Sequence, residues 1–294
     1  MGAVHGCHLK YVGLSALSVA GYAALTSEQF LLEDTALILA RGLRSAGTTA
    51  SAAAVTAAGS EGGGAGLLSA TAALLHLSPR TMLGYSAVLN GGIAVLFKLR
   101  KGMGLIGKDP RTGQIPLWSY LVYAPFHVPT YVYTHLHTLA GKYKPAKKRV
   151  PVASEVQPGW WVGGCYSHEL NRDWGGIVDL TVEFPESCFD RSESYLCIPT
   201  WDGVPASPAQ LEEAATYAAK ARERGDVLIH CAHGRGRSTT VMCAALVKAG
   251  LYPTWQEAFE EGIKPGRPVC KLNSKMRQAL IDWQADYVDG RKMK

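Results

Sequence analysis

The sequence predicts an α/β domain in its C-terminal half, with a central sheet flanked by helices, preceded by an α-helical region that we expect to associate with a membrane. Beyond residue 151, short strand-like apolar runs alternate with helix-like runs, and glycine or proline separates them. Before residue 150, Ala, Gly and Leu dominate and the apolar runs are long. The expected divisions are the helical region at 1–140, a basic linker at 141–151 and the α/β domain at 152–290.

The elements of the α/β domain follow from local pattern. A helix is expected to begin at Pro208, because Ser207 is a favoured N-cap residue and proline suits the first turn. Gly225 is expected to end it. Strands are expected at Trp160–Val162, Ile177–Val182, Tyr195–Ile198 and Val227–His230, and later helices at 237–249, 254–262 and 272–288.

The loop after the last expected strand carries the residues with the clearest chemistry. It reads His-Cys-Ala-His-Gly-Arg-Gly-Arg-Ser from His230 to Ser238, and a helix is expected to follow it. Backbone N–H groups and the positive end of the helix dipole converge at such a junction and attract anions. They would lower the pKa of Cys231 from about 8.5 into the range of roughly 3.5–7.5, which makes its thiolate a nucleophile at neutral pH.

The same loop is suited to hold a phosphoryl group as a second anion. The glycines let the backbone turn sharply and approach a ligand. The planar guanidinium of Arg237 matches two phosphoryl oxygens, Ser238 can donate a hydrogen bond to the Cys231 sulfur, and His230 is expected to support the loop by hydrogen bonding. The residues expected to bind phosphate are Ala232, His233, Gly234, Arg235, Gly236 and Arg237.

His230-Cys231-x5-Arg237-Ser238 resembles the signature of the cysteine-dependent protein tyrosine phosphatase superfamily, and its surroundings are most similar to the dual-specificity branch. Supporting similarities lie in Trp160–Gly164, Ile177–Glu183 and Lys271–Leu280, so the resemblance covers about residues 151–290. It implies a dual-specificity phosphatase-like fold and a phosphatase that hydrolyses phosphomonoesters through a cysteinyl-phosphate. It further implies Ser, Thr and Tyr phosphoproteins as substrates.

Within this resemblance, Asp202 matches the general acid by position, because it lies in a loop 29 residues before Cys231. Its carboxyl would protonate the leaving group and later activate water. Asp190 and Glu183 are rivals that are expected to face solvent. Cys231, Arg237, Asp202 and Ser238 are therefore the expected catalytic residues, and neither metal nor cofactor is expected, because Arg237 and the backbone amides supply positive charge.

The residues leave the substrate open. The basic loop interior, with His233 and Arg235, resembles the branch that hydrolyses phosphoinositides, so a phosphoinositide or another phospholipid at a membrane surface is the alternative substrate. If Arg235 has no such role, it faces solvent or pairs with an acid such as Glu260. A sulfurtransferase and a catalytically silent phosphate-binding module are further alternatives. Seven cysteines without a paired framework favour a reducing compartment, in which Cys165, Cys188, Cys197 and Cys270 are structural thiols.

The first 150 residues favour a membrane. Met82–Phe97 is expected to span it or to form a hairpin with Gly66–Leu77, although a span usually needs about 20 apolar residues. Tyr11–Leu25 is short for a span, and Thr48–Gly66 is expected to be a flexible linker. Ile115–Ala140 is expected to lie in the interface. Its aromatic residues Trp118, Tyr120, Tyr123, Tyr131 and Tyr133 would then lie at headgroup depth.

Charge sets the expected orientation. Residues 1–150 hold 14 Lys and Arg against 5 Asp and Glu, whereas residues 151–294 hold 16 against 19. The basic stretches, formed by Lys98, Arg100, Lys101, Lys108 and Arg111 and by residues 142–149, place the catalytic domain on the cytosolic face. No aromatic stacking platform accompanies them, so nucleic acid is not an expected partner. A soluble domain with buried helices and a transit sequence in the first 30–60 residues are the alternatives. The organelle stays open, a chloroplast and a mitochondrion included, and so does the oligomeric state.

Overall fold

The computed structural model describes residues 9–27, 63–145 and 148–290, with side chains described from residue 79 onward in the second range. Most of the expected linker Thr48–Gly66 lies outside these residues. The chain forms two compact units, one made of Lys10–Ile93 and one made of Met1–Leu9 and Ala94–Lys294. The second unit therefore begins well before the division expected at 141–151.

The described part of the first unit is an antiparallel pair of helices, α1 at residues 9–27 and α2 at Gly63–Leu99, although the last residues of α2, from Ala94 onward, belong to the second unit. The Ser15 hydroxyl donates to the Ala87 carbonyl at 2.8 Å, and the Ser18 and Ser86 hydroxyls are 2.9 Å apart. At the other end, Arg80 donates to the Leu25 carbonyl at 2.7 Å. Small side chains allow the two backbones to approach closely, as in many membrane helix pairs.

Helix α2 corrects one expectation. Gly66–Leu77 and Met82–Phe97 lie on a single continuous helix that includes Pro79, so they do not form a hairpin with each other. Proline removes one backbone hydrogen bond, and the Ala- and Leu-rich flanks favour helix strongly enough to continue through it. Within the described residues, Pro79–Leu99 is the one helix whose 21 residues and mean hydropathy of 1.4 meet the requirements for crossing a membrane.

The second unit is built on a five-stranded sheet. Its strands are β1 at Ala153–Gln157, β2 at Trp160–Gly163, β3 at Gly176–Thr181, β4 at Tyr195–Thr200 and β5 at Val227–His230, in the spatial order β1-β2-β5-β3-β4. Strand β1 is antiparallel to β2, and the other neighbours are parallel. The α/β fold class is thereby confirmed. Strand β1 was not predicted, because its sequence ASEVQ lacks an apolar run.

Side chains alternate between the two faces of the sheet. On β5, Val227 and Ile229 belong to the main core, whereas Leu228 belongs to a smaller cluster that includes Ile177 and Trp174. This is the period-two pattern of a strand covered on both faces. The helices of this unit are α3 at Leu117–Val122, α4 at Ala124–Lys142, α5 at Pro208–Arg222, α6 at Arg237–Lys248, α7 at Trp255–Glu257 and α8 at Ser274–Gln284.

Helices α3 and α4 belong to the same compact unit as the sheet. The Phe126 ring meets the buried Trp201 ring edge-on at a centroid distance of 6.0 Å, and the Tyr131 ring lies 4.9 Å from that of Phe184. Tyr123 is also buried. Tyr123 and Tyr131 therefore pack inside the unit, in contrast to the headgroup position expected for them. Local sequence did not reveal this packing, because the partner rings lie more than 50 residues away.

Candidate active site

Cys231 lies at the carboxyl end of the central strand β5, and α6 begins six residues later at Arg237. Both neighbours of β5 are parallel to it, so the carboxyl ends of β2, β3 and β5 lie at the same edge. Ligands in parallel sheets bind at such an edge, in the crevice beyond the strand ends. The fold therefore places residues 231–237 where an anion would be bound.

The carbonyl groups of this loop are held by donors from its surroundings. The Ala232 carbonyl accepts from the Cys165 N–H at 3.2 Å, and the Arg235 carbonyl accepts from the Lys271 N–H at 2.7 Å. Between them, the guanidinium of Arg267 donates to the His233 and Gly234 carbonyls at 3.3 and 2.8 Å. Because the N–H of a peptide points away from its C=O, this arrangement directs the amides toward the loop interior. The sequence alone does not predict this role for Arg267.

Gly234 is required by the loop backbone. Its φ is +63°, and a Cβ at this position would lie 2.5 Å from the Gly163 carbonyl carbon. Any other residue would meet both backbone strain and a clash with β2. At Gly236, a Cβ would lie 3.0 Å from the end of the Met276 side chain. The first glycine thus sets the turn, and the second leaves room for α8.

Cys231 is 3 % exposed, and its sulfur lies 3.4 Å from the Ser238 hydroxyl. Burial raises the pKa of the thiol, but the Arg237 charge, the Ser238 hydroxyl and the N–H groups of Ser238 and Arg235 outweigh burial. The pKa is therefore lowered from its usual value. The sulfur is stabilised as an anion, which is the state that reacts with electrophiles.

Arg237 is 2 % exposed, and four hydrogen bonds to the Leu180 and Thr200 carbonyls and to Glu183 hold its guanidinium in place. Nη1 donates to the Leu180 and Thr200 carbonyls at 3.0 and 2.6 Å. Both Nη atoms also bond Glu183, with Nη2 2.5 Å from Oε1 and Nη1 3.2 Å from Oε2. The remaining donor, Nε, has no hydrogen-bond partner in the described part of the chain. It is therefore available to an oxygen of a bound anion.

Glu183 corrects an expectation, because it was expected to face solvent. It is buried directly beyond β3, and its carboxylate forms the ion pair with Arg237. A buried guanidinium needs an opposite charge, and Glu183 supplies it. The sequence signal that was overlooked is the position of Glu183 at the carboxyl end of a fully buried strand. Asp190, the other rival acid, is exposed.

Asp202 lies beyond β4 on the same side as Arg237. Its Oδ1 is 3.5 Å from Nη2 of Arg237, and its side chain is 27 % exposed. The buried Trp201 fixes this loop, because its indole N–H donates to the Lys101 carbonyl at 2.8 Å. Asn273 donates to the Gly203 carbonyl at 2.9 Å from the other side. The structure therefore brings Cys231, Arg237, Ser238 and Asp202 together, and it leaves the Asp202 carboxyl open to solvent.

His230, which directly precedes Cys231, supports the loop through contacts with two buried carboxylates. Its Nε2 lies 2.6 Å from Glu186 Oε2 and 3.8 Å from Asp179 Oδ1. Burial disfavours the charged imidazole, but the two carboxylates outweigh it and raise the pKa of His230 to about 9. A histidine that stays protonated at neutral pH and is fully buried is a structural cation. It is not a group that exchanges protons with a substrate.

The two basic residues inside the loop have different surroundings. The His233 ring contacts two rings of α4, with centroids 4.5 Å from His137 and 5.8 Å from Tyr133. Arg235 is half-buried, and its Nε lacks a hydrogen-bond partner among the residues described here. It does not depend on Glu260, whose carboxylate bonds Lys264 at 2.8 Å. The loop therefore retains a cationic side chain beside Cys231.

The other described cysteines differ from Cys231 in the direction in which their surroundings shift the pKa of the thiol. Cys165, Cys188, Cys197, Cys243 and Cys270 are free thiols that are buried or half-buried. Burial raises the pKa of Cys188 to about 12 and that of Cys197 to about 11. Among all the described cysteines, Cys231 is the one whose thiol pKa is lowered. Cys231 is therefore the described thiol whose surroundings best suit it to act as a nucleophile.

Comparison with known proteins gives a similarity over the α/β half. The chain is 29 % identical over 154 residues to human dual specificity protein phosphatase 12, which covers 48 % of this chain and 45 % of the relative. It is 28 % identical over 141 residues to human dual specificity protein phosphatase 4, which covers 46 % of this chain and 35 % of the relative. The matched segment thus spans less than half of each relative. The chain in the crystal structure of human DUSP28 is 22 % identical in sequence to this chain. The alignment of the two structures covers 46 % of this chain and 95 % of that chain, with a TM-score of 0.40. No family model matches the chain.

Proposed function

We propose that this chain hydrolyses phosphomonoesters through a cysteinyl-phosphate intermediate and that phosphorylated Ser, Thr and Tyr side chains are its main substrates. One observation carries the proposal: the thiol with the lowered pKa lies in the same loop as a buried guanidinium that also contacts a solvent-open carboxyl. The similarity to dual-specificity phosphatases supports a phosphatase and favours phosphoprotein substrates. The amide-lined loop would hold the three non-bridging oxygens.

The residues suffice for a balanced two-step reaction. In the first step the Cys231 thiolate attacks phosphorus, the S–P bond forms, the bond to the ester oxygen breaks, and Asp202 donates its proton to that oxygen. In the second step water attacks phosphorus and gives a proton to Asp202, while the S–P bond breaks. The electron pair returns to sulfur, where the Ser238 hydroxyl at 3.4 Å and the Arg237 charge stabilise it. Inorganic phosphate leaves, and the enzyme is regenerated.

The direct test offers the purified full chain a panel of phosphopeptides and phosphoinositides and measures the phosphate released. Thiosulfate and cyanide in a parallel assay test the sulfurtransferase alternative, because only that activity forms thiocyanate. Phosphate release from peptides supports the proposal. Formation of thiocyanate without phosphate would replace the phosphatase proposal with a sulfurtransferase. If the chain forms neither product, a silent phosphate-binding module is favoured.

A phosphoinositide or other phospholipid is the second candidate substrate, and two observations favour it. The Nε of Arg235, a residue inside the loop, has no hydrogen-bond partner among the described residues, and this cationic side chain is suited to a second phosphate group. In addition, α3 and α4 expose an apolar face next to the loop, since His137 and Tyr133 of α4 contact His233. This face, termed the α3–α4 face below, consists of Leu117, Trp118, Leu121, Val128, Val132 and Leu136, all at least half exposed.

We also propose that the α3–α4 face rests on the cytosolic surface of a membrane that Pro79–Leu99 crosses. Large exposed apolar patches on soluble domains mark contact surfaces. Exposed basic residues follow this face at Lys144, Lys148 and Arg149, and such residues attract anionic lipid by about 1 kcal/mol each near the surface. The α3–α4 face also follows the candidate span by fewer than 20 residues along the chain.

Replacing Asp202 with alanine is expected to slow hydrolysis of phenyl phosphate by roughly 10²-fold or more, and that of an activated aryl phosphate much less. A poor leaving group needs the proton that Asp202 donates, whereas an activated phenoxide leaves without it. Steady-state kcat for both esters measures the difference. Asp190→Ala is the matched control, because Asp190 is exposed and contacts neither Cys231 nor Arg237 in the described structure. Equal losses on both esters would remove Asp202 as the acid.

Membrane contact of the α3–α4 face is expected to give lipid adducts from a benzophenone amino acid introduced at Leu121 of the full chain in proteoliposomes. Leu121 is 72 % exposed and lies within the face. The same photoreactive residue at Leu251, which is 51 % exposed after α6, is the matched control and is expected to give few adducts. Mass spectrometry of the labelled peptides measures both. Equal lipid labelling at the two positions would argue against a seated face.

A further inference from the structure

Lys108 is a buried cation that lies outside the α/β domain in sequence but packs inside it. It belongs to residues 94–150, termed the N-terminal extension, which are part of the same compact unit as the sheet. It precedes α3, and its side chain is 1 % exposed. Its ammonium group forms an ion pair with Asp179 on β3 and donates to the Thr181 hydroxyl at 2.9 Å. It also donates to the carbonyls of Thr181 and Phe184 at 3.0 and 2.7 Å. Such a group is held in one position, because a buried charge keeps all its partners or pays a large desolvation penalty.

The two carbonyls bonded by Lys108 bracket the residue that holds the catalytic arginine. Thr181 and Phe184 lie on either side of Glu183, whose carboxylate forms the ion pair with Arg237 at 2.5 Å. The segment is not regular strand at this point, since β3 ends at Thr181. The position of Glu183 therefore depends on the hydrogen bonds that fix the turn around it, and three of these come from Lys108.

Gly113 and Gln114, in the same N-terminal extension, form hydrogen bonds with Glu186, the residue that binds His230. The Glu186 N–H donates to the Gly113 carbonyl at 2.9 Å, and the Gln114 side chain donates to the Glu186 carbonyl at 2.9 Å. Glu186 in turn binds His230, the residue before Cys231. Residues 108–114 thus reach both sides of the catalytic loop, through Glu183 to Arg237 and through Glu186 to His230.

The cluster around Asp179 is already charge-compensated by the chain. Asp179, Glu186 and His230 bring one ligand atom each within 4.8 Å of one another, a spacing that a metal ion can use. The Lys108 ammonium bonds Asp179, and Tyr195 donates to the same carboxylate oxygen at 2.9 Å. Burial raises the pKa of Asp179, but Lys108 and His230 outweigh burial and lower it to about 2. The carboxylate thus remains ionised as the partner of two cations.

We propose that Lys108 is a positioning residue for the catalytic loop: it fixes the Thr181–Phe184 turn, so that Glu183 holds Arg237 beside the Cys231 sulfur. Without Lys108, the turn loses its anchor and Arg237 moves away from the thiolate. The kinetic part of this proposal rests on the proposed phosphatase activity. The ionisation of Cys231 can be measured without any turnover, so a failure of one proposal is distinguishable from a failure of the other.

The test replaces Lys108 with methionine in the full chain and follows the alkylation of Cys231 by iodoacetamide as a function of pH, using peptide mass spectrometry. The midpoint of alkylation is expected to rise by about one pH unit, because the Arg237 charge that lowers the Cys231 pKa is displaced. The kcat/KM for an aryl phosphate is expected to fall roughly 10- to 100-fold. Among the described residues, Cys165, Cys270 and Arg267 also interact electrostatically with Cys231, and the substitution leaves them in place.

Two further variants separate positioning from stability. In Lys108→Met/Asp179→Asn the buried carboxylate that has lost its lysine partner is removed as well, so thermal stability should recover in part, while the alkylation midpoint should stay raised. Lys248→Met is the matched control, because Lys248 forms a 2.5 Å ion pair with Glu212 between α6 and α5, away from the loop. Its midpoint is expected to equal that of the parent protein. The proposal is overturned if Lys108→Met or the double variant folds and keeps the alkylation midpoint and the kcat/KM of the parent protein. It is also overturned if both of these variants lose the fold, because Lys108 would then have a purely structural role.

Discussion

Replacing Cys231 with serine is expected to lower the rate of phosphate release by at least about 10⁴-fold while phosphopeptide binding persists. The loop and Arg237 lower the pKa of the Cys231 thiol and so favour its anion, but the pKa of a serine hydroxyl starts far higher and the hydroxyl stays neutral. The amides and the guanidinium that bind the phosphoryl group are unchanged by the substitution. Rapid-mixing phosphate release measures the first effect, and fluorescence anisotropy of a labelled phosphopeptide measures the second.

The matched control is Cys197→Ser, because Cys197 is a half-buried thiol on β4 whose pKa is raised to about 11. A neutral thiol of that kind is replaceable without loss of a nucleophile, so kcat should stay within about twofold of the parent value. Substantial turnover by Cys231→Ser would refute the cysteinyl-phosphate intermediate. Equal losses in the two variants would mean that the effect arises from altered packing.

Removing residues 1–140 is expected to destabilise the α/β domain severely, whereas removing residues 1–93 is expected to leave it folded. The first deletion takes away Lys108 and breaks its buried ion pair with Asp179, a change that typically costs about 3–5 kcal/mol. It also removes Phe126 from Trp201 and Tyr131 from Phe184. These losses are comparable with the whole stability of a domain, which is about 5–15 kcal/mol.

Urea unfolding of fragments 94–294 and 141–294, followed by circular dichroism, measures this difference. The longer fragment should unfold in one cooperative transition and keep the parent kcat on a soluble aryl phosphate. The shorter fragment should show a lower midpoint or no cooperative transition. If fragment 141–294 unfolds cooperatively with parent kinetics, the division expected from the basic linker is the correct one, and α3 and α4 are accessory.

Several parts of the molecule were predictable from local sequence. The loop from His230 to Ser238 contains the thiol, the amides, the guanidinium and the hydroxyl within nine consecutive residues, so its geometry follows from one strand–loop–helix junction. The strand at Val227–His230 and the helix capped by Ser207 follow from equally short patterns. Asp202 required the resemblance to a family, since an Asp-Gly pair by itself indicates only a turn.

Other parts could not be read locally. Lys108 has the sequence context of an exposed basic loop, yet its partner Asp179 lies 71 residues away. Glu183 is an acidic residue of the kind that usually faces solvent, yet it forms an ion pair with Arg237, 54 residues further along the chain. Trp201 and the Asp202 loop are anchored by Phe126 and by the Lys101 carbonyl, both from the extension. In each case the local sequence shows only one of the two interacting groups, and the tertiary fold brings the other group into contact with it.

The amino-acid sequence by itself thus determined the α/β order of the elements and the composition of the candidate phosphate loop with its candidate nucleophile, because these depend on hydrogen bonds and side chains that are neighbours along the chain. The tertiary structure alone decided which charges are buried, where the compact unit begins and how the arginine is held. The physical reason is that a charge can be buried only together with its counter-charge, and contacts between distant segments determine which counter-charge that is.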